Sequence, residues 1–592
     1  MKTILHIALW CLVLPAAGQQ YYVRGEVRDE SGKLLSNVSI LQLRTGYLFR
    51  SGSSGTFGIL AQARTDSLRF SLPGFYPQQL DADADQYLRV TLKALPVSQQ
   101  SNRNKLSSLT RDLEKEVQKS WYTGNETYAS LLENNFVSAH RFPSTGISLN
   151  VDRASYSNIR RFITLNTQVP PDAVRIEEML NYFNFGYEEP AGTDPFRINT
   201  TLTSCPWNPE GHLYYIRLSA RKLNLDSLPP SHLVFLIDIS GSMDMPNRLP
   251  LIKSSFRLLA HNLRAKDSVT IVVYGGLTGV LLNCTSGADR DTILKVIDAL
   301  EPGGNTPGES GIKSAYQEAR SHYIKGGNNR IILATDGDFN VGLKTDQELE
   351  ELIVRERDNG IYLTCLGVGM GNYKDSKIQV LAEKGNGNFA YLDNYREAEK
   401  VLMKEFTQML YAVADNVYMD LDFNPAYVQE YRLLGFDNKV GALRDSMSNI
   451  EGGEIGSGQS LLALVEVIPT AAGRKLESLP DASAVVSGIR LRYQYPGKEE
   501  GHVYRYTSPY SFRPMEALDS SFRFSAAIAM YGSLLRSSRF LKNAGWNELW
   551  ALAAPSIGSG NPLQREFVEL VQQSRTLYLR GRKKKGGASR PD

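Results

Sequence analysis

The sequence is poor in the residues from which disulfide scaffolds and soft-metal centres are built. It holds four cysteines in 592 residues, too few for a disulfide scaffold. Its seven histidines are scattered, which argues against a His-built zinc motif. Charge of one sign is also missing: 66 Lys and Arg stand against 63 Asp and Glu. That balance excludes a nucleic-acid binder whose affinity rests on clustered positive charge. No segment after the N-terminal one reaches the roughly 18 consecutive apolar residues of a membrane span. Catalytic signatures are lacking as well. Gly303-x-x-x-x-Gly308 has the spacing of a phosphate loop, but Glu309-Ser310 follows where a lysine is needed, and a carboxylate there repels phosphate. There is no Gly-x-Ser-x-Gly elbow and no His-Glu-x-x-His. An enzyme is not expected.

What is present is an ordinary folded composition, 42% hydrophobic and 22% charged, long enough for about three to five domains. Met1-Lys2, the apolar run Ile4–Pro15 and the small residues Ala16-Ala17-Gly18 read as a signal peptide over residues 1–18. Cys11 sits inside the apolar run rather than at the cleavage point, so no lipid anchor is expected. An exported protein of the periplasm or cell surface follows. Cys205, Cys284 and Cys365 remain; three is odd, so at least one stays a thiol. Cys365, within the apolar run Ile361–Val368, reads as core.

Residues 19–95 alternate as short strands, among them Tyr22–Arg28, Val38–Leu41, Leu68–Leu72 and Tyr87–Leu92, separated by turn residues. They predict a small antiparallel β-sandwich. Gly25-Glu26-Val27-Arg28-Asp29, Ser31-Gly32, Gly55-Thr56-Phe57 and Pro73-Gly74-Phe75 resemble the carboxypeptidase-regulatory-like domain, which implies a non-catalytic spacer or docking module. Residues 96–125 are polar and read as a linker. Over 126–230, Tyr156–Asn166 and Arg175–Phe185 predict helices, and Ile198–Leu202 and Leu213–Leu218 predict strands. Residues 412–578 return to strands (Val417–Phe423, Leu461–Val467, Ile489–Tyr495), expected to pack with those around Cys205, and end in helices from Ser521. Residues 579–592 form a basic stretch expected to be a solvated tail. Trp207 beside Pro206 reads as core.

Between 231 and 411, apolar strand-like runs alternate with helical ones. Runs without polar alternation suit strands buried on both faces, and the βα alternation predicts a doubly wound parallel α/β sheet. Such sheets bind ligands beyond the carboxyl ends of their strands. There the sequence places Asp238-Ile239-Ser240-Gly241-Ser242, the loop Gly303–Gly308 with Thr306, and Thr335-Asp336-Gly337-Asp338. Short oxygen-bearing side chains from three loops suit a hard divalent cation. With two neutral hydroxyls among the donors, the ion keeps affinity for an anionic oxygen from outside. Asp338 reads as a turn residue.

This span resembles the von Willebrand factor type A (VWA) domain. Asp238, Ser240, Ser242, Thr306 and Asp336 match all five positions of that family's metal-ion-dependent adhesion site. The resemblance implies Mg²⁺ or Mn²⁺, ahead of Ca²⁺, held by the hydroxyls and the two aspartates, with a partner's Asp or Glu completing the shell. Glu126-Thr127-Tyr128, Asp152–Asn158, Asp172–Glu178, Cys205-Pro206-Trp207-Asn208, Thr335–Gly342, Lys384–Asn388 and Phe423-Asn424-Pro425-Ala426 resemble the YfbK-like subgroup of bacterial VWA proteins. The resemblance runs over about residues 126–578. Where the subgroup has Asp-Val-Asp, this chain has Asn150-Val151-Asp152. The implied function is a metal-dependent, non-enzymatic protein-binding module for adhesion or assembly. The alternative is an accessory subunit of an envelope enzyme or transport assembly whose VWA site senses metal or is structural.

Overall fold

A computed structural model describes residues 21–94, 126–436 and 453–585, apart from positions 46–47, 53, 62, 73, 127, 129–130, 132, 150–151, 225, 276–277, 305–307, 338–345, 371–372, 479–482, 499, 543 and 559–560. The expected signal peptide and linker lie outside the described residues. The chain separates into two compact units, residues 1–119 and 120–592.

The described residues of the first unit form only strands and their connections. One sheet has the order Thr56–Ala61, Tyr21–Asp29, Tyr87–Leu92, and the other Leu48–Arg50, Ser39–Gln42, Thr65–Ser71, Gln78–Asp83. Their inward faces bury Val23, Val27, Val38, Ile40, Ile59, Leu68, Phe70 and Val90. The expected all-antiparallel pairing is corrected in one place: Tyr21–Asp29 pairs parallel with Tyr87–Leu92. Alternation gives a strand its two faces but not its direction. The intervening chain is long enough for the two to run the same way.

The second unit contains the α/β domain. Its sheet is built from β1 (Ser231–Asp238), β2 (Ser268–Tyr274), β3 (Gly279–Ser286), β4 (Asn328–Thr335), β5 (Ile361–Gly367) and β6 (Phe389–Tyr391), in the order β3-β2-β1-β4-β5-β6. Every residue of β1 and β4 is buried, as their unbroken apolar runs require. Helices α1 (Leu249–His261), α2 (Arg290–Asp298), α3 (Gly308–Ser321), α4 (Asp346–Asp358) and α5 (Asp375–Lys384) complete the alternation. The two sheet faces carry separate apolar layers, one with Phe235, Phe256 and Ile332, the other with Leu236, Tyr316 and Leu333. The sheet is parallel except at its edge, where β2 and β3 run antiparallel. Their connection, residues 275–278, is far shorter than the dozen or so residues a parallel crossover needs. Chain direction across the sheet reverses between β1 and β4, the crevice where doubly wound sheets hold their ligands.

The α/β domain is inserted into a second β-rich body assembled from both sides of it. His212–Ala220 pairs with Phe196–Ser204 and with Ser460–Pro469. A facing sheet pairs Ala412–Phe423 with Val485–Gln494. The regions 126–230 and 412–578 therefore share one sandwich core, with Tyr214, Phe423 and Tyr431 inside it. Helices Ala154–Thr164, Ile176–Asn181, Ser520–Leu535, Trp546–Ala553 and Pro562–Lys585 form a third core around Tyr156, Phe183, Trp207, Phe524 and Phe567. The basic stretch expected to be a tail from 579 is corrected in its first part: the last helix runs to Lys585. Among the described residues no helix is long and apolar enough to cross a membrane.

Candidate metal centre

Backbone hydrogen bonds tie together the loops after β1 and β2 and the loop before α3. Ile239 N–H donates to the Tyr274 carbonyl (2.8 Å), Gly303 N–H to that of Ile239 (2.7 Å) and Gly241 N–H to that of Gly304 (3.1 Å). Gly275, at φ +104°, allows this closeness. A Cβ there would lie 2.4 Å from Ser240 N and 2.9 Å from Asp238 Oδ1, distances that side-chain carbons do not tolerate. The Asp-x-Ser-x-Ser segment turns sharply after β1: the Asp238 Oδ1 carboxylate accepts the Ser240 N–H at 2.9 Å, and Gly241–Met243 makes a single 3-10 turn.

Four of the five site residues expected from the sequence converge there. Ser240 Oγ and Ser242 Oγ lie 3.0 Å apart, and Ser242 Oγ donates to Asp336 Oδ2 at 2.8 Å. Asp238 Oδ2 accepts from Thr335 Oγ1 at 3.4 Å. Both aspartates are buried, Ser240 is half-buried and Ser242 is exposed, so the cluster has a carboxylate floor and a hydroxyl rim. Thr306 and Asp338 lie outside the described residues. Burial pushes the Asp238 carboxyl up to about 6; the Ser240 hydrogen bonds oppose this and the Asp336 charge adds to it. Burial and the Asp238 charge also hold the Tyr274 phenol well above its ordinary range.

Sequence reasoning missed Arg248. Its Nη1 lies 2.6 Å from Asp336 Oδ2 and donates to the Ser242 carbonyl at 2.6 Å, while Nη2 donates to the Met370 carbonyl at 2.9 Å. A single arginine just before α1 carries no periodic signal; its place four residues after the Met-Asp of the turn was the only pointer. The donor set fits a hard divalent cation. It is all oxygen and mixes two carboxylates with hydroxyls. Asp238 and Asp336 with Ser240 and Ser242 would hold such an ion, and the ion would supply positive charge for an incoming oxygen anion.

Several residues outside this pocket that the sequence singled out make contacts that tie elements together. Asp152 Oδ1 accepts the Phe389 N–H (2.8 Å), tying the chain before Ala154–Thr164 to β6. Asn150 and Val151 lie outside the described residues. Arg160 pairs with Glu397 at 2.7 Å and Glu566 at 2.8 Å. Arg175 bonds Asp375 at 2.6 Å and also contacts Glu178. Trp207 is fully buried, as expected, and its ring N–H donates to Glu466 at 3.4 Å. Cys205, Cys284 and Cys365 are all free thiols, Cys365 within the core.

Comparison with known proteins agrees with this architecture. Residues 232–404 match the family model described as von Willebrand factor type A domain, residues 122–214 one described as von Willebrand factor, and residues 408–577 one described as the C-terminal region of uncharacterized protein YfbK. The chain is 37% identical over 469 residues to YfbK of Escherichia coli (strain K12), covering 76% of this chain and 81% of that protein. Human calcium-activated chloride channel regulator 1 is 31% identical over 152 residues, 25% of this chain and 15% of that protein. Among solved structures, von Willebrand factor type A from Catenulispora acidiphila superposes with a TM-score of 0.37 at 14% identity, over 63% of this chain and 88% of that one. With its α/β sheet, its inserted arrangement and a relative that matches most of the chain, this protein belongs to the YfbK family of von Willebrand factor type A domain proteins.

Proposed function

We propose that the chain is an exported, non-enzymatic protein-binding module. Its site holds Mg²⁺ or Mn²⁺ and takes an Asp or Glu carboxylate from a protein partner. The observation that carries this reading is the meeting of Asp238, Ser240, Ser242 and Asp336 at the β1/β4 crevice, with the hydroxyls on the exposed rim. Asp238 and Asp336 supply the charge. Ser240 and Ser242 supply neutral oxygens, and Thr306, from the loop hydrogen-bonded to the turn, supplies a third. Two carboxylates, one of them already paired with Arg248, leave a divalent ion short of neutrality, and a partner's carboxylate makes up the difference. Export is supported by the basic start and the apolar run of residues 4–15.

The test is Mn²⁺ titration of the full chain, followed by capture from envelope extract in Mg²⁺ and in EDTA. Asp238→Ala is the control. Wild type should bind Mn²⁺ and retain a protein only in Mg²⁺, and Asp238→Ala should do neither while its circular dichroism stays unchanged. Wild-type Mn²⁺ affinity in Asp238→Ala would overturn the metal assignment. Identical capture in EDTA would overturn the adhesion mechanism.

A further inference from the structure

The far end of the central sheet carries a second cluster of donors, with different chemistry. His232 is the second residue of β1 and Asp238 the last, so about 20 Å of strand separates this cluster from the oxygen site. One ring nitrogen each of His232 and His322 and the sulfur of Cys284 all lie within 4.8 Å of one another. They come from β1, from the residue after α3, and from the edge strand β3. No sequence spacing joins them, which is why scattered histidines gave no sign of a site.

Three independent features point to a ligand. His232 is fully buried, and its Nδ1 has no hydrogen-bond partner. A bare ring nitrogen in a protein interior costs free energy unless something binds it. Its Nε2 is 3.0 Å from Thr270 Oγ1; with Nε2–H donating there, the Nδ1 lone pair is open to a ligand. His322 Nδ1 lies 3.1 Å from the Glu318 carbonyl and 3.7 Å from the Glu318 carboxylate. That pairing holds the ring and leaves Nε2 as the ligand atom, as carboxylates and carbonyls do behind metal-bound histidines. Cys284 is exposed, with an unusual φ of +29°, and its N–H donates to the same Thr270 Oγ1 at 3.1 Å. One threonine hydroxyl thus fixes both the imidazole and the backbone that carries the thiol.

We propose that His232, Cys284 and His322 form a second cation site, one that takes a borderline-soft divalent ion of the zinc class rather than the hard ion suited to the Asp238 site. Two imidazoles and a thiolate are the donors such ions select. Tetrahedral ligands of zinc lie about 3.6 Å apart, given metal–ligand bonds of roughly 2.0–2.3 Å. The three donors lie within 4.8 Å of one another, and His322 and Cys284 are not packed into the core, so both side chains have room to rotate toward a shared ion. Burial and the neighbouring His322 push His232 down to about 4, so its ring is neutral at pH 7 and able to ligate. The open side at Cys284 leaves the fourth position to water. The ion would pin the edge strand β3 and the end of α3 to the central strand. This inference does not depend on whether the Asp238 site is occupied.

The test is Co²⁺ and Zn²⁺ titration of the full chain. Wild type should develop a thiolate-to-cobalt charge-transfer band, and Zn²⁺ should displace the cobalt and raise Tm. Cys284→Ser should lose the band, and His322→Ala should weaken Zn²⁺ binding by at least about 10-fold, the loss seen even for outer partners of a metal ligand. Both positions lie outside the core, so the variants should fold, which circular dichroism checks. Asp238→Ala should keep the band. Absence of a charge-transfer band in wild type, or a band of full strength in Cys284→Ser, would overturn the proposal.

Discussion

Arg248 Nη1 and Asp336 Oδ2 are 2.6 Å apart, so one of the two carboxylates of the candidate metal centre already carries a positive partner. The guanidinium is buried and anchored at both ends, to the carbonyls of Ser242 and Met370. It is therefore fixed beside a carboxylate that would hold the ion. A divalent ion ~6 Å from a unit positive charge is disfavoured by about 1.4 kcal/mol even at the dielectric of water, a factor of ten in affinity. Arg248→Gln, which keeps donors toward Ser242 and Met370 but removes the charge, should tighten Mn²⁺ binding about tenfold by calorimetry. Weaker binding would mean that the guanidinium serves only to hold the turn in shape.

Gly275 is the second lever on the site, and it acts without charge. Its φ is +104°, and a methyl group added there would come within 2.4 Å of Ser240 N. Gly275→Ala must therefore displace the Asp238–Ser242 turn. Strain in this region is worth roughly 1–3 kcal/mol. Mn²⁺ affinity should fall at least tenfold while the Tm drops by a few degrees. An unchanged affinity would show that the turn tolerates the shift and does not depend on close packing against β2.

The features legible in the sequence were those with a period or a fixed local order. Unbroken apolar runs gave β1, β4 and β5, and the alternation with helices gave the α/β sheet. Asp238-x-Ser240-x-Ser242 stood out because three ligands fall within one turn. Features that exist only after distant segments meet were not legible. Arg248 reaches Asp336 across 88 residues, and His232 meets His322 only because α3 ends over the start of β1. The antiparallel edge lies in the 275–278 connection, whose length decides direction while the strand composition does not. The parallel pairing of Tyr21–Asp29 with Tyr87–Leu92 escaped notice for the same reason.

The join between the inserted α/β sheet and the sandwich carries its own titration. Asp415 is half-buried, and burial, together with the Glu454 charge, raises its carboxyl to about 7, against the opposing pull of Arg330. Its folded value thus lies above the unfolded one of about 3.9. The native state holds the proton more tightly, so the stability tied to Asp415 is fully present below pH ~4 and is lost as pH rises through 7. Asp415→Asn leaves Arg330 paired with Glu454 at 3.1 Å. Urea unfolding should show the variant more stable than wild type at pH 8, with the gap shrinking toward pH 4. A gap independent of pH would assign the effect to packing instead.

Arg160 is the point at which helix Ala154–Thr164, the loop after β6 and the last helix are fastened together. The guanidinium is buried at their junction. It bonds Asp393, Glu397 and Glu566 and donates to the Tyr182 hydroxyl at 3.2 Å. These acids come from segments far apart in the chain, so one side chain joins the α/β sheet to the C-terminal helices. Removing it would leave Asp393 and Glu397 buried with their charge uncompensated except for Lys400, whose Nζ is 4.0 Å from Glu397. Breaking a buried pair from one side costs about 3–5 kcal/mol. Arg160→Met should lower unfolding stability by that amount, measured in urea, and the loss should shrink when Glu397→Gln is added, since the second change removes the stranded charge. Equal losses in the single and double variants would mean that Arg160 acts through packing on Tyr156 and Tyr182, over whose rings it lies at 5.7 and 6.0 Å, and that the charges there are bystanders.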